Sequence, residues 1–171
     1  MRHIVLVGLP GAGKSAVGAH AAELLRTTCV DVDAVILRRM QMPIDRIFGE
    51  HGELRFRQLE RDAVAAALGE PPCVIVPGSG WAVQDGALKG IGDRAFIIYV
   101  KAPVVDAAAR VERGEARPLL TGANPIDRMR GLLVERESFF LRADAEVVND
   151  RRTIEASAAE VAHLAKQYAG W

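Results

Sequence analysis

The chain has 171 residues, 50% of them hydrophobic and 26% charged, which suits one compact domain with a full core and excludes a disordered segment. Lys+Arg and Asp+Glu balance at 22 each, so nothing draws the whole molecule toward nucleic acid or an anionic membrane; only a local basic cleft stays open. No run reaches the ~20 apolar residues of a membrane span, and the N-terminus lacks a leader pattern. Cys29 and Cys73 match neither a metal spacing nor a redox pair, so the expectation is two reduced thiols in a cytoplasmic protein.

In chain order, IVLV at 4–7 reads as a short buried strand, followed by a glycine-rich loop and a helix over 14–26. CVDV at 29–32 reads as a second strand. Pro43 opens a short helix ending before Gly49, and a longer helix covers 51–68. A third strand, CVIV at 73–76, runs into Pro77-Gly78-Ser79-Gly80-Trp81, which is either a plain turn or backbone held open for a ligand. AFIIYV at 95–100 is the fourth strand, with a helix over 103–113 after it. Gly114 and Gly122 flank the polar segment EARPLLT, read as a mobile loop. Asn124-Pro125 with Asp127 after it caps a helix over 125–142; AEVV at 145–148 and a helix over 153–168 close the chain. Apolar strands separated by amphipathic helices make βαβ units and a parallel sheet covered on both faces, an α/β fold.

Gly8-Leu9-Pro10-Gly11-Ala12-Gly13-Lys14-Ser15 fits G-x-x-x-x-G-K-[ST] between a strand and a helix. Backbone N–H groups from Gly11 to Ala16 would curl around phosphate oxygens, Lys14 would reach the β- and γ-phosphates, and the Ser15 hydroxyl would ligate Mg²⁺. No guanine-reading Asn/Thr-Lys-x-Asp is visible. Asp31 or Asp33 is the acidic partner for magnesium, and the two are expected to have separate jobs. Arg57 and Glu60 can pair across one helical turn, as a solvated face also would. Arg136 shares a helical stripe with Ile126, Met129, Leu133 and Phe140, so it either snorkels or aims into a cleft at an anion. Arg117, on the mobile loop, is an exposed cation or one delivered to a transferring phosphoryl group. Arg110 lies at the surface or beside a nucleotide base, and Trp81 caps the core or stacks on a ring.

Together these segments resemble the shikimate kinase family, in matching order over nearly the whole chain. GLPGAGKS resembles its Walker A loop, DVD its D-x-D, PIDRIFGEHGELRFRQLE its shikimate-binding segment, ARPLLTG its lid and ERESFF the helix bearing a second substrate arginine. The resemblance implies a single P-loop kinase domain over 1–171: a five-stranded parallel sheet flanked by helices, an acceptor segment at about 33–61 and a lid at about 114–123. It implies phosphorylation of the shikimate 3-hydroxyl by ATP with Mg²⁺, in a monomer without nucleic-acid or membrane partners. On that resemblance Asp33 binds the acceptor hydroxyls and acts as base, and Arg57 and Arg136 clamp its carboxylate with Glu60 orienting Arg57. Arg117 bridges ATP and the moving phosphoryl group, Asp31 and Ser15 hold magnesium, and Arg110 meets adenine.

One triplet departs from the family, which carries three glycines where this chain has Gly78-Ser79-Gly80. A serine at positive φ would cost about 1–2 kcal/mol, and its hydroxyl enters the pocket while its N–H is kept. The alternatives are a kinase for another small hydroxy acid or polyol, and a nucleotide-binding regulatory module without turnover.

Overall fold

A computed structural model of the chain describes residues 1–114, 124–150 and 153–171. The loop expected at 114–123, with Arg117 in it, lies outside the described residues apart from Gly114. Strand β1 (His3–Val7) is buried along its whole length. It lies at the centre of a five-stranded sheet of order β2-β3-β1-β4-β5, where β2 is Cys29–Asp31, β3 Val74–Val76, β4 Ala95–Lys101 and β5 Ala145–Val148. Every pairing is parallel: Ile4 faces Val74 on one side and Phe96 on the other, Asp31 faces Val76, and Ile98 faces Ala145. A parallel sheet covered on both faces needs apolar side chains in both directions, which is why the inner strands β1, β3 and β4 read as hydrophobic runs. The edge strands β2 and β5 are only partly buried and carry Asp31 and Glu146.

Between the strands lie α1 (Lys14–Leu25), α2 (Val32–Met40), α3 (Ile44–Ala67), α4 (Ala87–Ile91), α5 (Val104–Arg113), α6 (Pro125–Phe140) and α7 (Ile154–Tyr168). Helix α1 packs on α7, α2 on α3, and α5 on α6. Asn124 caps α6 as expected, its side chain accepting the Ile126 N–H at 3.0 Å with Pro125 in the first turn. No helix among the described residues is long and apolar enough to cross a membrane.

The structure corrects three readings. Val32 does not extend the second strand: Asp31 ends it and caps α2, accepting the Ala34 N–H at 3.1 Å. Asp33 therefore sits in the first turn of a helix that Asp31 caps, and this change from strand to helix gives the two aspartates different places. The two helices expected on either side of Gly49 are present, the first starting after Pro43, but they meet three residues later at Gly52, which leaves the helical conformation (φ 78°, ψ 165°); both are counted together as α3. The segment after Trp81 also holds α4 and a short 3-10 turn, Gly92–Arg94, which carried no clear apolar period.

β1 leads into the glycine-rich loop, β2 into Asp31, and β3 into Gly78-Ser79-Gly80. Strand order reverses about β1, so these three ends open on the crevice where parallel α/β sheets take their ligands.

Candidate active site

A cavity of about 710 Å³ occupies that crevice, lined at one end by Pro10, Gly11 and Arg110 and at the other by Asp33, Arg57 and Ser79. Lys14 is buried at the loop, its ammonium donating to the carbonyls of Gly8 at 3.0 Å and Leu9 at 2.8 Å. Arg110 reaches over from α5 and donates to the Gly11 carbonyl at 3.1 Å. Ser15 stands exposed in the first turn of α1 and Ala16 is half-buried beside it. Gly13 has φ 88°, and a Cβ there would come within 2.5 Å of Asn149 Nδ2, so only glycine fits. Loop, lysine and helix start are thus assembled as the motif requires.

At the other end, Arg57 and Glu60 do pair, Nη1 donating to Oε2 at 2.6 Å. This is no solvated face, because Glu60 is fully buried. Gln84 donates to the same Oε2 at 3.0 Å, while Glu53 takes two further bonds from Arg57. Burial raises the Glu60 pKa, outweighing the opposing pull of Arg57. On Arg57 burial works against the charge, yet Glu60 and Glu53 outweigh it and the pKa rises.

Gly78 and Gly80 explain their place in the sequence through close packing. A Cβ on Gly78 would lie 2.2 Å from Glu60 Oε1, and one on Gly80 2.5 Å from Arg57 Nη2. The strand end is pressed onto the ion pair. Between them Ser79 carries no strain: among described non-glycine residues only Arg26 and Gln41 have positive φ. Its Oγ accepts a hydrogen bond from Arg136 Nη1 at 2.9 Å, and both residues are buried. Arg136 therefore points inward rather than snorkelling. Burial first, and then the neighbouring Arg57, lower its pKa. Two buried guanidiniums that repel one another are the kind of pair an anion can relieve. Trp81 is buried in the core, its N–H closing a turn onto the Gly78 carbonyl at 3.0 Å, so the core-capping reading holds.

Asp31 and Asp33 both line the cavity. Ser15 at the loop and Asp31 at the strand end are hard oxygen donors, the kind Mg²⁺ takes. Among the described residues no cluster of three or more His, Cys, Asp or Glu could cage a metal alone. An ion here would lean on phosphate and water oxygens, as Mg²⁺ in kinase sites does.

Sequence reasoning missed Asn149, whose Nδ2 donates to the Ala12 carbonyl at 2.8 Å. Its one signal was its place at the carboxyl end of β5. It also missed Phe48, which with Phe56 packs near the Arg57 guanidinium at 6.0 and 5.5 Å from the ring centres.

The shikimate kinase family model matches residues 10–166. The chain belongs to the shikimate kinase family. A family relative from Salinispora arenicola, named shikimate kinase, is 39% identical over 161 residues, 94% of this chain and 95% of that protein. Another, from Nitrobacter winogradskyi, is 38% identical over 148 residues, 86% of this chain and 69% of the relative. Among solved structures, shikimate kinase from Acinetobacter baumannii in complex with shikimate superposes with a TM-score of 0.92 at 30% identity, covering 98% of this chain and 94% of the other. The family fold is the five-stranded parallel sheet with helices described above, and the family activity makes the chain a kinase.

Proposed function

We propose that the chain transfers the γ-phosphoryl group of ATP to the 3-hydroxyl of shikimate. The observation that carries this is Arg57 in the cavity wall with the buried Arg136 guanidinium held behind it on Ser79, which also lines the cavity, near enough for Arg57 to disfavour its charge. An acceptor carboxylate reaching both guanidiniums meets charge-assisted donors, each worth about 1.5–3 kcal/mol. That end is built for a small hydroxy acid. A neutral polyol would bring no countercharge to Arg136, whose guanidinium hydrogen-bonds, among the described residues, only to the uncharged Ser79 hydroxyl.

Gly11, Ala12, Gly13, Lys14, Ser15 and Ala16 hold the phosphates, with Arg110 against the base. Asp33 orients the 3-hydroxyl and takes its proton as the oxygen–phosphorus bond forms; the bond from phosphorus to the β-phosphate oxygen breaks and ADP departs. Gly78, Ser79 and Gly80 border the acceptor. Arg117, outside the described residues, is assigned the transferring phosphoryl group on the resemblance alone. Ser15 and Asp31 would hold Mg²⁺, whose charge would offset that building up on the phosphate oxygens. The reading includes a monomer at work in the cytoplasm; the two free cysteines fit a reducing compartment.

ADP release coupled to a dehydrogenase readout tests the proposal with shikimate as acceptor. Release that depends on shikimate is expected, and turnover that responds instead to another hydroxy acid in a panel would overturn the acceptor assignment. No acceptor-dependent release at all would overturn the kinase reading.

A further inference from the structure

The phosphate loop is braced from outside by a side chain that lines neither end of the cavity. Asn149 follows β5 and is 2% exposed. Its backbone N–H donates to the Lys101 carbonyl at 2.7 Å, which ties it to β4. Its Nδ2 donates to the Ala12 carbonyl at 2.8 Å, and its Oδ1 accepts from the Ser157 hydroxyl at 3.1 Å. A carbonyl can only accept, so the NH₂ end of the amide must face Ala12 and the oxygen must face Ser157. Ser157 is itself fully buried on α7.

The consequence lies in the next peptide unit. The Ala12 carbonyl and the Gly13 N–H belong to one trans peptide and point to opposite sides of it. Anchoring the carbonyl on Asn149 turns the Gly13 N–H away from Asn149, where the loop wraps its ligand. The fit is close on both sides, since a Cβ on Gly13 would come within 2.5 Å of the same Nδ2. We propose that Asn149, oriented by Ser157, is a positioning residue for the nucleotide: it sets the Ala12–Gly13 peptide so that the loop presents an N–H to the phosphates. The inference rests on the ATP reading of the loop.

Binding measurements without acceptor test it, using Mg-ADP and adenosine on the full chain and on Asn149→Ala, Asn149→Asp and Ser157→Ala. Loss of one charge-assisted contact predicts about a tenfold rise in the ADP Kd for Asn149→Ala. The isosteric Asn149→Asp should lose more, because it sets a carboxylate against the Ala12 carbonyl and close to the phosphates. Ser157→Ala should cost a few-fold, and adenosine affinity should stay within about twofold throughout. An ADP Kd that stays within twofold of the parent, or ADP and adenosine weakened alike, would overturn the proposal. If the Asn149 variants do not fold, Ser157→Ala decides by the same two readings. A parent that binds ADP but does not phosphorylate shikimate defeats the acceptor reading and leaves this test intact.

Discussion

Ser79 sits where a side chain has to justify its space, between two glycines whose missing Cβ atoms make room for Glu60 and Arg57. It lines the cavity and accepts from Arg136 Nη1 at 2.9 Å, so the hydroxyl fixes a guanidinium that burial and Arg57 both disfavour. Without that acceptor the buried cation must find water or relax away from the pocket, at a cost typical of a hydrogen bond to a charged group. Ser79→Gly and Ser79→Ala should therefore raise the KM for shikimate by roughly tenfold, with the KM for ATP little changed. Steady-state kinetics with each substrate varied in turn checks this. A lower shikimate KM in Ser79→Gly would show instead that the serine obstructs the pocket. The triplet could be picked out from the sequence by its glycines, but the partner of Ser79 could not, because Arg136 lies 57 residues further along the chain.

At the scale of elements, α3 builds the acceptor end from two helical pieces joined at Gly52. The first carries Ile44, Asp45 and Phe48 into the cavity wall, and the second carries Phe56, Arg57 and Glu60. Their relative angle depends on one residue at φ 78°, ψ 165°, a conformation reached almost only by glycine. A Cβ there would meet nothing within 4 Å, so the cost of Gly52→Ala is backbone strain and not collision. That strain is of order 1–3 kcal/mol. Relief comes by straightening the helix, which swings Phe48 away from Phe56, now 4.6 Å apart between ring centres. The variant should melt lower and raise the KM for shikimate several-fold more than that for ATP. Equal changes in both constants would mean that the bend serves stability alone. The sequence shows Gly52 only as a glycine inside a helical pattern, which explains why the break is expected at Gly49 and not at Gly52. The same limit hides α2: a three-residue strand passes into a helix at Asp31 with no polar gap, and only its cap marks the change.

For the molecule as a whole, what the sequence made legible is what sheet physics forces on it. The inner strands β1, β3 and β4 show as apolar runs because a parallel sheet buries both their faces, and the phosphate loop shows because its chemistry needs fixed residue types at fixed spacing. Contacts between distant segments, such as Asn149 with Ala12 or Gln84 with Glu60, follow from packing and leave no local pattern. Packing also sets the titration of groups buried along the sheet. His3 in β1 has its pKa lowered by burial and then by Arg94, and its Nδ1 accepts the Cys73 N–H at 3.2 Å, which an imidazolium could not do. The folded chain thus binds fewer protons there than the unfolded chain, and stability is lost as pH falls below the ordinary value of 6.5.

The alkaline side has the opposite sign. Burial, helped by Asp31, pushes the Cys29 thiol from 9.0 up to about 11. Burial, helped by Glu137 and Glu146, pushes the Tyr99 phenol from 10.0 up to about 12. Across that span the folded chain keeps protons that the unfolded chain gives up, so stability falls as pH rises from 9. These groups leave the melting temperature level between roughly pH 6.5 and 9 and falling on both sides, with the acid fall softened by Glu60, whose raised pKa acts with the opposite sign to His3. Replacing the thiol separates the contributions: Cys29→Val keeps an apolar side chain of similar size beside β3 and removes one of the two thiols that titrate first, Cys73 being the other. Its decline from pH 9 should be shallower, carried there by the Cys73 thiol that burial also raises, and should steepen near pH 10, where the unfolded tyrosine starts to lose its proton. Calorimetric scans of parent and variant at half-unit steps from pH 5 to 11.5 give the comparison directly. A parent whose melting temperature stays level to pH 11 would show that neither the thiol nor the phenol is held protonated by the fold.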